Sequence, residues 1–122
     1  MQLFGVLVTL ALIVAWTKRA SAGPVVRESY GAGAQKFSLA TASPGELGLL
    51  GVLGQAYCSR AGCRLDWVKA GSGRSLDLLK AGEVDMVMVH APDGEKRAVA
   101  EGWAGRGTLI GSNEFFLVVP WA

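Results

Sequence analysis

The sequence is poor in the side chains on which metal binding and covalent catalysis usually depend. Its 122 residues include one histidine, His90, and two cysteines, Cys58 and Cys63. A structural zinc site takes about four such ligands, so this composition argues against one. The sequence has neither a Gly-x-Ser-x-Gly nucleophile elbow nor a phosphate-binding Gly-Lys-Ser/Thr, and Leu76 stands where a dinucleotide fingerprint would have its third glycine. We therefore predict a protein that is not an enzyme and that uses no metal or cofactor.

The sequence also has little excess charge. It contains 12 Lys and Arg residues against 10 Asp and Glu residues, and the excess corresponds to Lys18 and Arg19. Residues 23–122 therefore balance at 10 bases (12 − 2) and 10 acids. Because there is no basic stripe, we expect no nucleic-acid partner. Any site for an anion must rely on local hydrogen-bond donors.

The first 22 residues differ in composition from the rest. Residues 3–16 are apolar except for glycine and threonine, and they are followed by Lys18-Arg19 and by Ala20-Ser21-Ala22. This pattern predicts a secretory signal peptide over residues 1–22, cleaved after Ala22, and hence a periplasmic or extracytoplasmic protein. The alternative is an uncleaved N-terminal anchor, which would be the chain's one contact with a membrane. The apolar run is, however, shorter than the roughly 20 residues that a spanning helix needs.

After this segment, the chain changes from a glycine-rich stretch to alternating strand and helix patterns. Residues 23–35 are small and polar, so we predict a flexible N-terminus there. An N-cap at Ser43, followed by Pro44 and a capping-box acid at Glu46, opens the first helix. Strands are predicted at 37–41, 64–70, 86–89, 108–110 and 113–119, with helices from 43, after 73 and over 92–101. The alternation is typical of an α/β domain with a mainly parallel sheet flanked by helices.

The first predicted helix carries glycine at every third position. Gly48, Gly51 and Gly54 would each cost roughly 1 kcal/mol against alanine in an exposed helix. Their spacing therefore indicates a helix face that packs closely on the sheet.

Cys58 and Cys63 are five residues apart, between the end of this helix and the next strand. In an exported protein, this spacing is compatible with a disulfide that closes the turn. Two free or partly buried thiols are the alternative.

Three turns rich in small or hydroxyl residues follow successive predicted strands: Thr41-Ala42-Ser43, Gly71-Ser72-Gly73 and His90-Ala91-Pro92. In open α/β sheets, ligands bind beyond the carboxyl ends of the strands. Helix N-termini attract anions through unpaired N–H groups and the helix dipole. We therefore predict that these turns converge on an anion site. For Ser43 and Ser72, a simple helix-capping role is the alternative.

At these residues the chain resembles the tungstate- and molybdate-type periplasmic substrate-binding proteins of ABC transporters, which have the type 2 periplasmic binding protein fold. The matching segments follow the family's order from about Lys36 to the end. They are Leu39-Ala-Thr41, Gly48-Leu-Leu50, Ala70-Gly-Ser-Gly-Arg-Ser-Leu76, Gly82-Glu-Val-Asp85, Val89-His-Ala-Pro92, Glu101-Gly102 and Asn113-Glu-Phe-Phe-Leu-Val118.

The resemblance implies an extracytoplasmic solute-binding component that delivers a tetrahedral oxyanion, tungstate or molybdate, to an ABC transporter permease. It implies that backbone N–H groups and hydroxyls hold the anion. The implied ligand residues are Thr41, Ser43, Ser72, Gly73, Arg74 and His90. The alternatives are a solvated helix-face position for Arg74 and a solvated strand end for His90. The first loop departs from the family's pattern because Ala42 has no hydroxyl.

The family needs a much longer chain than this one, so residues 36–122 are expected to form an incomplete α/β substrate-binding lobe. A half-cleft leaves an anion exposed to water, where each hydrogen bond is worth less than in a closed site. We therefore expect weak oxyanion binding or none. The alternative function is a truncated, non-binding remnant, or an interaction module whose sheet is completed by another chain.

Overall fold

The structure is a computed structural model that describes residues 22–112. Its strands and helices are β1 (Val26–Tyr30), β2 (Gln35–Thr41), α1 (Ser43–Glu46), α2 (Leu49–Ala61), β3 (Cys63–Lys69), α3 (Ser72–Lys80), β4 (Met86–Val87) and α4 (Pro92–Ala100). The strands form one sheet in the order β1-β3-β2-β4. β2 is parallel to both β3 and β4, and β1 is antiparallel to β3. The predicted α/β fold with a mainly parallel sheet flanked by helices is therefore confirmed.

The core has two parts because α2 covers one face of the sheet and α3 covers the other. The first part contains Leu39, Leu50, Cys58, Cys63, Leu65 and Trp67. The second contains Ala40, Val68, Ala70, Leu78 and Val84. Leu39 and Ala40 are neighbours in β2 but belong to different parts, as expected because successive side chains of a strand point to opposite faces.

The segment 23–35 contains strand β1, so the prediction of a flexible N-terminus there is wrong. β1 pairs with β3, and Ser29 Oγ donates a 2.6 Å hydrogen bond to Asp66 Oδ1 across this pair. Four of the five residues in β1 are exposed, so its sequence lacks the apolar alternation by which half-buried strands are recognised. Backbone pairing, rather than side-chain burial, accounts for this edge strand.

The first helix also differs from the prediction. Ser43 is its first residue and Ala42 is its N-cap, without a side-chain capping hydrogen bond, so the predicted capping box from Ser43 to Glu46 is wrong. Glu46 instead forms an ion pair with Lys69 at the end of β3. α1 is separated from α2 because Gly48 has a left-handed φ of 84°, a conformation that glycine adopts at little cost.

The sheet is less complete at β4 than the sequence predicts. Only Met86 and Val87 of the predicted strand 86–89 pair with β2. Met86 is 48 % exposed, so the strand is not covered on both faces. Residues 108–110 were expected to form a strand but are exposed and have no regular secondary structure. The predicted strand 113–119 and, apart from Ala22, the predicted signal peptide lie outside the described residues.

A disulfide between Cys58 and Cys63 joins the last turn of α2 to the first residue of β3. Both cysteines are buried and belong to the first part of the core. Gly62 ends α2 in the left-handed conformation, with φ of 65°. The bridge therefore fixes the short turn that connects helix and strand.

Candidate functional site

The carboxyl ends of β2, β3 and β4 lie side by side because these strands are parallel and adjacent. From β2 the chain crosses to β3 on one side, and it then returns past β2 to β4 on the other. β2 and β4 therefore flank a topological switch point, which is where open α/β sheets bind ligands. Thr41, Ser72 and His90 end or follow these strands at this edge of the sheet.

Thr41 is the last residue of β2 and is only 1 % exposed. Its hydroxyl donates a 2.7 Å hydrogen bond to the carbonyl of Met88. Its carbonyl accepts hydrogen bonds from Trp67 Nε1 at 3.0 Å and from the N–H of Ala70 at 3.1 Å. The sequence predicts that this hydroxyl binds the ligand. In the structure its proton is instead donated to a carbonyl inside the fold.

Ser72 and His90, two of the predicted site residues, are in direct contact. Ser72 is the half-buried first residue of α3, and its Oγ accepts a 3.2 Å hydrogen bond from the backbone N–H of His90. The His90 side chain is exposed at the end of the turn that follows β4. This bond joins the turn after β3 to the turn after β4.

Gly73 and Arg74 lie in the first turn of α3 and are exposed. A Cβ atom added to Gly73 would meet no atom within 4 Å, so the backbone there faces open space. No side chain caps the N-terminus of α3, and its first turn has no acidic residue. The first N–H groups of a helix have no partner within the helix, so this end presents donors and the positive end of the helix dipole.

The other helix N-termini at this edge are less suited to an anion. α4 has Asp93 and Glu95 in its first turn, whose negative charges already complement its dipole. α1 has four residues, and Pro44 has no N–H group to offer. Of the three helix N-termini at this edge, that of α3 is the best suited to an anion, because its first N–H groups have no partner within the helix and its first turn has no acidic residue.

Ser43 is exposed, and its carbonyl accepts a 2.9 Å hydrogen bond from the N–H of Leu47. Within residues 22–112, the hydrogen bonds of the structure join Ser72 to His90 but do not join Ser43 to either of them. The structure therefore brings together two of the predicted hydroxyl and histidine residues and leaves Ser43 apart from that contact.

Two buried residues behind the site were missed by sequence reasoning. Trp67 is 2 % exposed and bonds to Thr41 as described above. Ser75 is fully buried in α3, and its Oγ donates a 3.1 Å hydrogen bond to the carbonyl of Ala70. The signal in the sequence for the role of Ser75 was its spacing from Ser72. If α3 begins directly at the turn after β3, Ser75 lies one helical turn after Ser72 and close to the sheet.

Two cavities near the sheet, formed by the residues that the structure describes, are lined by other side chains than Ser72 and His90. One is an apolar groove of about 430 Å³ on the face covered by α2, with Phe37, Tyr57 and Met86 among its lining residues. The other, of about 270 Å³, is lined by Arg27, Glu28, Gly45, Glu46, Trp67 and Lys69. Gly73, Arg74 and His90 are instead exposed to solvent at the carboxyl edge of the sheet.

The perturbed acid–base groups of the described chain lie away from Ser72 and His90. Burial, and then the hydrogen bond to Glu28, raises the pKa of Tyr30 to about 12. For Asp66, burial acts to raise the pKa, but hydrogen bonds from Ser29 and Arg64 outweigh it and lower the pKa. These shifts belong to the β1–β3 pair and its flanks, so they indicate structural roles.

Further groups support the periphery of α3 and α4. Hydrogen bonds from Trp103 and Lys80 lower the pKa of Glu101, and Lys80 Nζ lies 5.2 Å from the centre of the Trp103 ring.

Over residues 22–112, there is no group of three or more His, Cys, Asp and Glu side chains that could hold a metal ion. No helix in that range is long and apolar enough to cross a membrane.

Comparison with known proteins finds relatives that are named as binding proteins. A protein of Haloferax volcanii named "Putative ABC transporter anion-binding protein" is 27 % identical over 94 residues, which are 76 % of this chain and 28 % of that protein. The solved structure of the tungstate binding protein of Desulfovibrio alaskensis G20 matches with a TM-score of 0.53 and 33 % identity, over 57 % of this chain and 28 % of that one.

A second solved structure gives a similar result. It is a LysR substrate binding domain of a periplasmic protein from Wolinella succinogenes, with a TM-score of 0.51 and 40 % identity over 55 % of this chain and 29 % of that one. The chain thus spans between 28 % and 29 % of the length of these relatives. The family model described as the PBP superfamily domain, for periplasmic binding proteins, matches residues 27–122, most of the chain. The chain therefore belongs to the PBP superfamily.

Proposed function

We propose that this chain is an extracytoplasmic solute-binding component of an ABC transporter and that it binds a tetrahedral oxyanion, tungstate or molybdate, at the N-terminus of α3. The permease of that transporter would be its protein partner. The observation that carries the proposal is the uncapped start of α3 at the carboxyl edge of the parallel strands, without an acid in its first turn. The names of the Haloferax and Desulfovibrio relatives support an anion as the ligand.

Three features of α3 would act together on an oxyanion. The first backbone N–H groups of the helix point out of its N-terminus and donate to anion oxygens. Ser72 Oγ accepts the hydrogen bond from the His90 N–H, so its own proton can be donated to the ligand. Arg74 adds an exposed positive charge within the same turn.

The expected affinity of this edge is low because it is open to water. Four hydrogen bonds, three from backbone N–H groups and one from Ser72, would contribute roughly 1 kcal/mol each. Their sum of about 4 kcal/mol corresponds to a Kd of about 1 mM. Thr41 is not counted as a donor, because its hydroxyl proton is engaged by Met88.

The test is the thermal unfolding of the purified chain with tungstate, molybdate, sulfate or phosphate, against sodium chloride at matched ionic strength. At a concentration ten times Kd, a ligand that binds only the folded state stabilises it by about 1.4 kcal/mol. We expect this stabilisation with tungstate or molybdate and not with chloride. Equal shifts for every salt would contradict a specific site.

Matched variants locate the site. Ser72→Ala and Arg74→Gln should each reduce the anion-induced shift. The control for Arg74 is Arg97→Gln, since Arg97 is an exposed arginine in the last turn of α4. The control for Ser72 is Ser59→Ala, since the Ser59 hydroxyl bonds to Gln55 in α2, away from this edge. If the controls lose as much of the shift as the site variants, the ligand binds elsewhere.

A further inference from the structure

We infer that Thr41 is a positioning residue that fixes the distance between the turn carrying Ser72 and the turn carrying His90. The consequence for anion affinity rests on the function proposed above, whereas the positioning itself does not. Thr41 was expected to contact the ligand, but its hydrogen bonds give it a different role. It acts through its hydrogen bonds to the segments that precede Ser72 and His90.

The first link runs from Thr41 to the turn after β3. Its carbonyl accepts a 3.1 Å hydrogen bond from the N–H of Ala70, two residues before Ser72. The same carbonyl accepts a 3.0 Å bond from Trp67 Nε1. A carbonyl oxygen has two lone pairs, so both are engaged by the end of β3.

The second link runs from Thr41 to the turn after β4. Its Oγ1 donates a 2.7 Å hydrogen bond to the carbonyl of Met88, two residues before His90. β4 pairs with β2 only through Met86 and Val87, so this side-chain bond extends the attachment beyond the strand itself. The backbone N–H of Met88 adds a 3.1 Å bond to the carbonyl of Ala40.

The two links meet at a residue that has little freedom to move. Thr41 is 1 % exposed and Trp67 is 2 % exposed, and hydrogen bonds at buried groups are strengthened by the low local dielectric. The contact that depends on them, from the His90 N–H to Ser72 Oγ, is itself exposed. The buried Thr41 therefore stabilises the exposed hydrogen bond between His90 and Ser72, which competition from water would otherwise weaken.

The readout of the positioning is amide hydrogen exchange of His90, measured by NMR on the full chain. Thr41→Val removes the hydroxyl that bonds to Met88 and keeps the branched shape. We expect its His90 amide to exchange faster and to approach the rate in Ser72→Ala, which lacks the acceptor itself. Thr41→Ser keeps the hydroxyl and should restore slow exchange.

The matched control is Ser38→Ala. Ser38 also joins β2 to the segment around β4, through a 2.8 Å hydrogen bond from its Oγ to Asp85 Oδ2, but this bond is exposed and reaches the residue before β4. This variant should leave His90 exchange unchanged. If Thr41→Val does not fold, Trp67→Phe removes one bond to the Thr41 carbonyl and should also speed exchange. Trp103→Phe, which loses an exposed indole bond to Glu101, should not.

Anion titration of the same variants then connects positioning to function. Thr41→Val should weaken tungstate or molybdate binding by about tenfold, which corresponds to about 1.4 kcal/mol, and Thr41→Ser should restore it. Unchanged His90 exchange in Thr41→Val or in Trp67→Phe would overturn the inference whatever the anion does. Faster exchange in a chain whose unmodified form binds no anion would refute the proposed function and leave the positioning role standing.

Discussion

The contact between Gly45 and Trp67 gives a sharp test of the packing behind the candidate site. Gly45 lies in α1 and is buried. A Cβ atom added there would lie 2.2 Å from Trp67 Cε2 and 2.3 Å from Cζ2, far inside the carbon–carbon contact distance of about 3.5 Å. The ring cannot easily give way, because Trp67 is 2 % exposed and bonded to Thr41. We therefore expect Gly45→Ala to displace α1 or the indole.

The magnitude of this effect is a balance of two terms. Overpacking in a core costs about 1 to 3 kcal/mol, and here the overlap is with a ring held on several sides. Against this, alanine gains up to about 1 kcal/mol over glycine in a helix. The net prediction for Gly45→Ala is a loss of about 1 to 2 kcal/mol in the free energy of unfolding, measured by urea denaturation with an unchanged m-value.

Two other glycines provide the controls. At Gly51, in the first turn of α2, an added Cβ would lie 3.4 Å from Tyr30 Cε1, so Gly51→Ala should gain helix propensity and stabilise by up to about 1 kcal/mol. At Gly54 the added atom would lie 2.9 Å from Leu65 Cδ2, the end of a side chain that can shift, so Gly54→Ala should fall between the two. A Gly45→Ala chain as stable as Gly51→Ala would refute the packing argument.

The disulfide and one tyrosine carry the remaining predictions. Loss of the bridge between Cys58 and Cys63, which lie five positions apart, should destabilise the chain by about 2 kcal/mol on the loop-entropy estimate; urea unfolding with and without reductant measures this, and a double Cys→Ala variant should not respond to reductant. The pKa of Tyr30 is raised to about 12 in the fold, so the unfolded chain loses this proton first, near pH 10. Stability should therefore be unaffected by Tyr30 below about pH 10 and should fall as the pH rises towards 12; a Tyr30→Phe chain with an equally steep fall would contradict this.

The sequence predicts the two central parallel strands well because they carry their own apolar pattern. The predicted bounds of β2 and β3 lie within two residues of those observed, and α3 and α4 begin within one or two residues of the predicted turns. In these segments, apolar residues recur at the period of the element that buries them. The edge strand β1 has no such pattern, because four of its five residues are exposed and it is held mainly by backbone bonds to a partner far along the chain.

The glycines of the first helix show why a spacing alone does not specify a role. Gly48, Gly51 and Gly54 look equivalent in the sequence, and their spacing predicts one packing face. In the structure, Gly54 is packed against Leu65, and Gly51 lies at ordinary contact distance from Tyr30. Gly48 instead has a φ of 84° and separates α1 from α2. Only the fold decides whether glycine is needed for close approach or for a left-handed turn.

The same limit applies to the candidate site. The three turns were located from the sequence because strand ends and helix starts are local features. Which hydroxyl is presented to solvent depends on hydrogen bonds between segments that are distant in the chain, such as that from Thr41 to Met88 across 47 positions. Residue type and spacing do not contain that information.

The contacts of the first loop show what its departure from the family's pattern, the missing hydroxyl at Ala42, means for the site. In the first loop, Thr41 donates its hydroxyl inside the fold, Ala42 has none, and Ser43 is exposed at the start of a helix of four residues. In the proposed site, hydroxyl ligation of an anion would therefore fall mainly on the turn after β3, where Ser72 Oγ accepts a hydrogen bond from the His90 N–H. Because Thr41 bonds to the segments on both sides of that pair, the first loop still contributes to the site. On the inference drawn above, its contribution is to position the neighbouring turns, so a change at Thr41 would act on a bound anion through Ser72 and His90.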